Sequence, residues 1–135
     1  MADPQRRHEA FDSWLKAYGR AWKSRDPQKA AELFAENATY QASPFHKPAR
    51  GRSGIEEYWS TVTAAQEKIH FEHEVLLVSE DLGIAHWQAS FFHRRLRKPA
   101  EVDGIFVVRL SADGRCTEFR EWWHLRERDS GGAAR

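Results

Sequence analysis

The chain has 135 residues and a mass of 15.7 kDa, of which 41% are hydrophobic and 13% aromatic, enough for one domain with an ordinary core and too little for two. With 21 Lys and Arg against 20 Asp and Glu, the net charge of +1 supplies no basic excess for a phosphate backbone or an anionic bilayer, so neither nucleic acid nor membrane is an expected partner. The single cysteine, Cys116, excludes an internal disulfide and a thiolate zinc cage, and the stretch MADPQRRHEAFD has no apolar core of a leader, which together predict a cytoplasmic location.

In chain order, residues 1–10 read as a flexible start and 11–127 as one domain. Phe11, Trp14, Leu15, Tyr18 and Trp22 recur at helical spacing and predict a first helix running to about Ser24. Asp26 before Pro27 starts a short second helix through Ala30, Ala31, Leu33 and Phe34, because the carboxylate can accept from free amides and proline at the first position sacrifices no needed donor. A short strand follows over Ala38–Ala42, then a proline-bounded loop over Ser43–Pro48. Ser53 with Glu56 three residues on reads as a capping box for a third helix whose apolar face is Ile55, Tyr58, Trp59 and Val62.

Beyond Lys68 the period changes to two, with Phe71, His73, Val75 and Leu77 alternating against Glu72, Glu74, Leu76 and Val78. Further strands are predicted at Ile84–His93, Val102–Leu110 and, after the tight turn at Asp113–Gly114, Arg115–Leu125, in a meander of antiparallel strands. The basic loop Arg94–Pro99 reads as a solvated hairpin tip, and residues 128–135 as a disordered tail. Helices first and strands afterwards make an α+β chain with the helices on one sheet face. Val102–Leu110 is apolar on both sides, which calls for a cover on the other face too; with no helix left over, the expected cover is a second copy of the chain, a homodimer packed sheet to sheet.

This order of elements, with the strings RDPQKAAELFAENATY, PFHKPARGRSGIEEYW, DGIFVVRL and DGRCTEFREWW, resembles the nuclear transport factor 2-like superfamily, and within it the SnoaL-like cone-fold proteins, over residues 11–125. The resemblance implies a cone-shaped α+β fold, three N-terminal helices on a curved antiparallel sheet, with an aromatic pocket open at one end. In the related steroid isomerases, the general base is an aspartate before the proline that follows the first strand. Here that place is held by Ser43 before Pro44. Their oxyanion tyrosine corresponds to Tyr18, eight residues before Asp26, and their second oxyanion acid falls near Phe106. One of three functional positions is kept.

The last strand carries the most informative polar residue. If Phe119, Trp123 and Leu125 face inward, period two puts Glu121 among them, where desolvation would raise its pKa toward neutrality and fit it for proton transfer; a structural pairing with Arg50 or Arg52, or a place at the rim, is the alternative. Asp103 shares such a site only if Gly104 marks a bulge that reverses its side. On Ile84–His93, His86 and Trp87 lie on opposite faces and either one can be the inward one: the resemblance to the superfamily tilts slightly to His86, whereas the alternation of apolar bulk favours Trp87. The histidines have no ligand spacing, so no metal is expected; nor is a cofactor, since no phosphate-binding glycine motif or nucleophile elbow occurs. Trp22, Tyr40, Trp59, Trp87, Phe119 and Trp123 are the expected walls of a pocket for a hydrophobic small molecule.

Three functions follow as alternatives: a cofactor-free proton-transfer enzyme of isomerase, cyclase or hydratase type using Glu121, Asp103 or His86, and Tyr18; a non-catalytic small-molecule binder; or a protein-interaction module.

Overall fold

The structure is a computed structural model, and it describes residues 3–127. The tail expected over residues 128–135 lies outside the described residues. Helix α1 spans Pro4–Lys23, so residues 4–10 are helical rather than flexible. The Asp-Pro start signal occurs twice: Asp3 accepts from the Arg6 amide at 2.8 Å, as Asp26 accepts from the Lys29 amide at 3.0 Å. The apolar stripe begins only at Phe11 because the first two turns of α1 carry mostly exposed side chains.

Helix α2 spans Pro27–Glu32; Leu33 caps it and Phe34 opens strand β1, Phe34–Gln41, instead of ending the helix. A two-residue strand β2, Ala49–Arg50, leads into helix α3, Gly51–Ala64. The capping box expected at Ser53 does not form, and no side chain caps this helix. Gly51, at φ +72°, turns the chain straight out of β2, so the helix begins two residues before Ser53. Four long strands follow: β3 Gln66–Ser79, β4 Leu82–His93, β5 Lys98–Leu110 and β6 Cys116–Glu127.

The sheet order is β2-β1-β6-β5-β4-β3. The three hairpins from β3 to β6 are antiparallel as expected, but the whole is a mixed sheet, because the meander ends by laying β6 parallel to β1. Helix α1 packs on β3 and α3 on β1, so both lie over one face. Phe71, Ala85, Trp87, Phe106, Val108 and Phe119 point from that face into a core with Phe11, Leu15, Tyr18, Ile55 and Trp59. The result is an α+β fold with N-terminal helices on an open curved sheet, consistent with the cone fold.

Three local features fix which side chains enter. Lys68 sits at φ +53° in a register shift between Glu67 and His70, so side-chain parity changes between Gln66 and Ile69 and both are buried. A second shift between Val75 and Leu77 returns Val78 to the side of Val75 and leaves Leu76 and Leu77 exposed. Gly104 lies between Trp87 and Trp123 in one cross-strand row without interrupting the register, so it is not a bulge. A Cβ there would press on the Trp122 carbonyl and come within 2.9 Å of both Trp87 Nε1 and Trp123 Cβ, so glycine makes room for the indole of Trp87.

The outer sheet face mixes the charged and polar side chains of Glu74, His86, Gln88, Asp103 and Arg126 with Ile105, Val107 and Trp122. Among the described residues, no helix is long and apolar enough to cross a membrane.

Candidate functional site

Between the C-terminal half of α1, α3 and the inner sheet face lies a cavity of about 200 Å³. Tyr18, Tyr40 and Glu121 line it together with Trp22, Trp59, Trp87 and Trp123; Trp123 and Leu125, 38% and 48% exposed, mark the side open to solvent. Each wall follows from a periodicity. Tyr18 and Trp22 are four apart on α1, Tyr58, Trp59 and Val62 share a face of α3, and Glu121, Trp123 and Leu125 alternate inward along β6.

Glu121 is 7% exposed and stands in a row with Phe106 and Ala85. Its Oε2 accepts from the Tyr40 hydroxyl at 3.0 Å, and the Tyr40 and Tyr18 hydroxyls lie 3.0 Å apart. With Tyr40 donating to an ionised Glu121, Tyr18 must donate to Tyr40, so the three groups form a chain whose polarity follows the charge on the carboxyl. Tyr40 can reach because its ring stacks on Phe119 of the neighbouring strand, centroids 4.5 Å apart and nearly parallel, which aims the hydroxyl at the next inward residue of β6.

Desolvation among these rings pushes the Glu121 carboxyl up from an ordinary 4.5 to about 8, against the opposing pull of the Tyr40 hydrogen bond. Burial, and then the proximity of Glu121, hold the Tyr18 and Tyr40 hydroxyls well above the usual tyrosine range, so both act as neutral hydrogen-bond donors. At neutral pH, therefore, the cavity holds one carboxylic acid able to exchange a proton, backed by two phenols.

The expected residues divide sharply. Glu121, Tyr18, Trp22, Tyr40, Trp59, Trp87 and Trp123 come together around the cavity. Phe119 does not line it, being fully buried in the core against Tyr18, Tyr40 and Phe106. His86 and Asp103 are on the outer face. With no bulge at Gly104 the alternation puts Asp103 outward, where its Oδ1 meets His86 Nε2 at 2.9 Å and its Oδ2 accepts from Gln88 at 3.0 Å. Those two bonds, first Gln88 and then His86, hold the Asp103 carboxyl below its usual range, the reverse of Glu121. The preference for an inward His86 is corrected by Trp87, whose bulk fills the space over Gly104. Arg52 donates to the Phe34 carbonyl at 2.8 Å and forms no pair with Glu121. Ser43, in the loop after β1, bonds to His46 rather than to anything in the cavity.

Tyr58, Val62, Gln66, Phe91 and Val102 also line the cavity and were not foreseen. Tyr58 and Val62 were readable from the apolar stripe of α3. Gln66 was hidden by the parity change at Lys68, which nothing in a lysine announces. No group of histidine, cysteine, aspartate or glutamate side chains among the described residues is placed to hold a metal ion.

Residues 15–119 match the family described as SnoaL-like domain. No curated protein matches the chain. Among solved structures it is similar to SalBIII, described as an epoxide hydrolase/cyclase-like enzyme in pyran ring formation in polyether salinomycin, at 19% identity over 95% of this chain and 100% of that one, with a TM-score of 0.77. It is similar to a putative isomerase from Bacillus subtilis at 20% identity over 87% of this chain and 88% of that one, TM-score 0.76. A computationally designed 17-OHP binder has the same fold at 17% identity over 87% of this chain and 96% of that one, TM-score 0.75.

Proposed function

The chain belongs to the SnoaL-like domain family, and from that premise we propose that it is a cofactor-free enzyme that moves a proton to or from a small apolar molecule, in an isomerisation, cyclisation or hydration. The observation that carries this reading is the Glu121 carboxyl, titrating at about 8 on the wall of an aromatic cavity. A group with that pKa is mostly protonated at neutral pH yet releases its proton at little cost, the condition under which general acid–base catalysis is most effective. When Glu121 gives its proton to a ligand oxygen or carbon, the carboxylate left behind is held by the Tyr40 hydroxyl, which is itself supported by Tyr18. Tyr18 and Tyr40 are positioning residues for Glu121. The ligand is limited in size: a cavity of 150 Å³ holds benzene, so about 200 Å³ suits one or two small rings.

The test needs no known substrate. Cyclic ketones incubated with the protein in deuterium oxide report proton transfer as deuterium uptake beside the carbonyl, read by NMR. Wild type is expected to accelerate uptake by at least one member of the panel, and Glu121→Gln to lose roughly 10²- to 10⁴-fold of that rate. Equal rates in the two proteins would overturn the assignment.

A second reading, small-molecule binding without turnover, is favoured by the cavity's having a single carboxylate among its lining residues and by the designed binder of like fold. Tight binding of panel members without exchange would select it. On either reading the outer sheet face, with Ile105, Val107 and Trp122, is proposed to be covered by a second copy of the chain; a monomeric mass by light scattering at micromolar concentration contradicts that.

A further inference from the structure

Gln66, at the first position of β3, is 6% exposed and lines the cavity. Its Oε1 accepts from the Trp22 indole N–H at 2.7 Å. An indole nitrogen only donates, so this bond fixes which end of the amide is oxygen and which is nitrogen. The Nε2 end, with two N–H donors, makes no hydrogen bond among the described residues. An amide held this way in an aromatic wall, with its donors unused, is an unfilled half of a hydrogen-bonding arrangement.

The indole N–H groups of Trp59 and Trp87 also lack a partner among the described residues, but both atoms are fully buried and Trp87 Nε1 sits over Gly104, so neither reaches a ligand. Of the polar ends left unused on the wall, Gln66 Nε2 only donates, whereas the Glu121 carboxyl can accept or, when protonated, donate. Gln66 and Glu121 are also far apart around the wall. They stand on β3 and β6, three strands apart in the sheet, and the row of Glu121 meets β3 at Val75, nine residues along the strand from Gln66.

We infer that the ligand is a small ring compound whose polar atoms are hydrogen-bond acceptors, carbonyl or ether oxygens at its two ends, and that Gln66 is the residue that reads the oxygen remote from Glu121. This rests on the reading of the cavity as the ligand site, but not on turnover. Compounds lacking the second oxygen offer the Gln66 donors no acceptor and bind more weakly, and the selection is made by Gln66 rather than by the acid.

The probes are 2-decalone, with one carbonyl, and decalin-2,6-dione, with carbonyls at opposite ends of the same skeleton. Titration of each into the protein, followed by ¹H–¹⁵N spectra that include the indole signals, gives the two dissociation constants. The dione is expected to bind wild type roughly three- to tenfold more tightly, the worth of one neutral hydrogen bond, with the Trp22 indole signal shifting. In Gln66→Met that preference disappears, the two dissociation constants coming within about twofold of each other. Gln66→Leu, which likewise carries no polar side-chain atom, serves where the Met variant does not fold, and it too loses the preference. Equal affinities in wild type, a preference that survives both variants, or no binding of either probe to wild type overturns the inference. Failure of the proton-transfer reading is seen separately, as deuterium uptake that Glu121→Gln does not slow, and leaves these binding ratios where they are.

Discussion

Two carboxylates on adjacent strands, Asp103 on β5 and Glu121 on β6, show how far the face of a sheet decides chemistry. Asp103 points outward, is exposed, and accepts from Gln88 and His86, which together hold its pKa below the usual range. Glu121 points inward among aromatic rings and accepts from a single phenol, Tyr40, and its pKa rises to about 8. Hydrogen bonds and solvent stabilise charge on one; desolvation outweighs a single hydrogen bond on the other. Only the second is suited to passing a proton at neutral pH, and the outer pair of Asp103 and His86, which looks more like an acid–base dyad, faces away from the cavity.

The widest way to separate the two is by rate. Glu121→Gln removes roughly 10²- to 10⁴-fold of any proton-transfer activity found, whereas Asp103→Asn leaves it within about twofold, as steady-state rates on the same substrate will report. Next comes stability against pH. Because Glu121 titrates higher in the folded state than the 4.5 of an ordinary glutamate, the folded protein holds a proton that the unfolded chain has released, and stability falls as pH rises from about 4.5 to about 8. Glu121→Gln abolishes that decline, which amounts to at most roughly 4 kcal/mol across the window, measurable by urea unfolding at several pH values. Asp103 has the opposite sign, contributing stability above 3.8 that is lost as pH falls through its lower folded value.

Packing gives a smaller effect. Gly104→Ala drives a methyl against the Trp122 carbonyl and the Trp87 and Trp123 side chains and is expected to cost about 1–3 kcal/mol in denaturant unfolding, with distortion of the cavity wall. The smallest effect sharpens the contrast from the outside: His86→Asn, removing a partner of an exposed carboxylate, should change stability by less than about 0.5 kcal/mol.

Much of this architecture was legible because it is periodic. The spacing of Phe11, Trp14, Tyr18 and Trp22 fixes one face of α1, and the alternation of Phe119, Glu121 and Trp123 puts the acid on the inner face of β6. What escaped was carried by single backbone events. The positive φ at Lys68 reversed the parity that would have revealed Gln66, and Gly51 started α3 ahead of its apparent cap. The parallel pairing of β1 with β6 was hidden for another reason: it joins segments about eighty residues apart and leaves no local trace. The choice between His86 and Trp87 turned on Gly104 of the neighbouring strand, which makes room for an indole, a relation between strands rather than within one. Tyr40 was readable as a pocket wall, but its bond to Glu121 depends on the stacking of its ring on Phe119 across the parallel pair.

The proton-carrying role of the cavity depends most directly on the protonation of one side chain. Titration of the protein with ¹³C-labelled glutamate side chains, assigned by comparison with Glu121→Gln, follows the Glu121 carboxyl carbon through its ionisation. A midpoint near 8, moving higher in Tyr40→Phe as the hydrogen bond that favours the carboxylate is lost, is the predicted result. A midpoint near 4.5, unmoved by that substitution, would mean a solvated carboxylate and would contradict the proton-carrying role of the cavity.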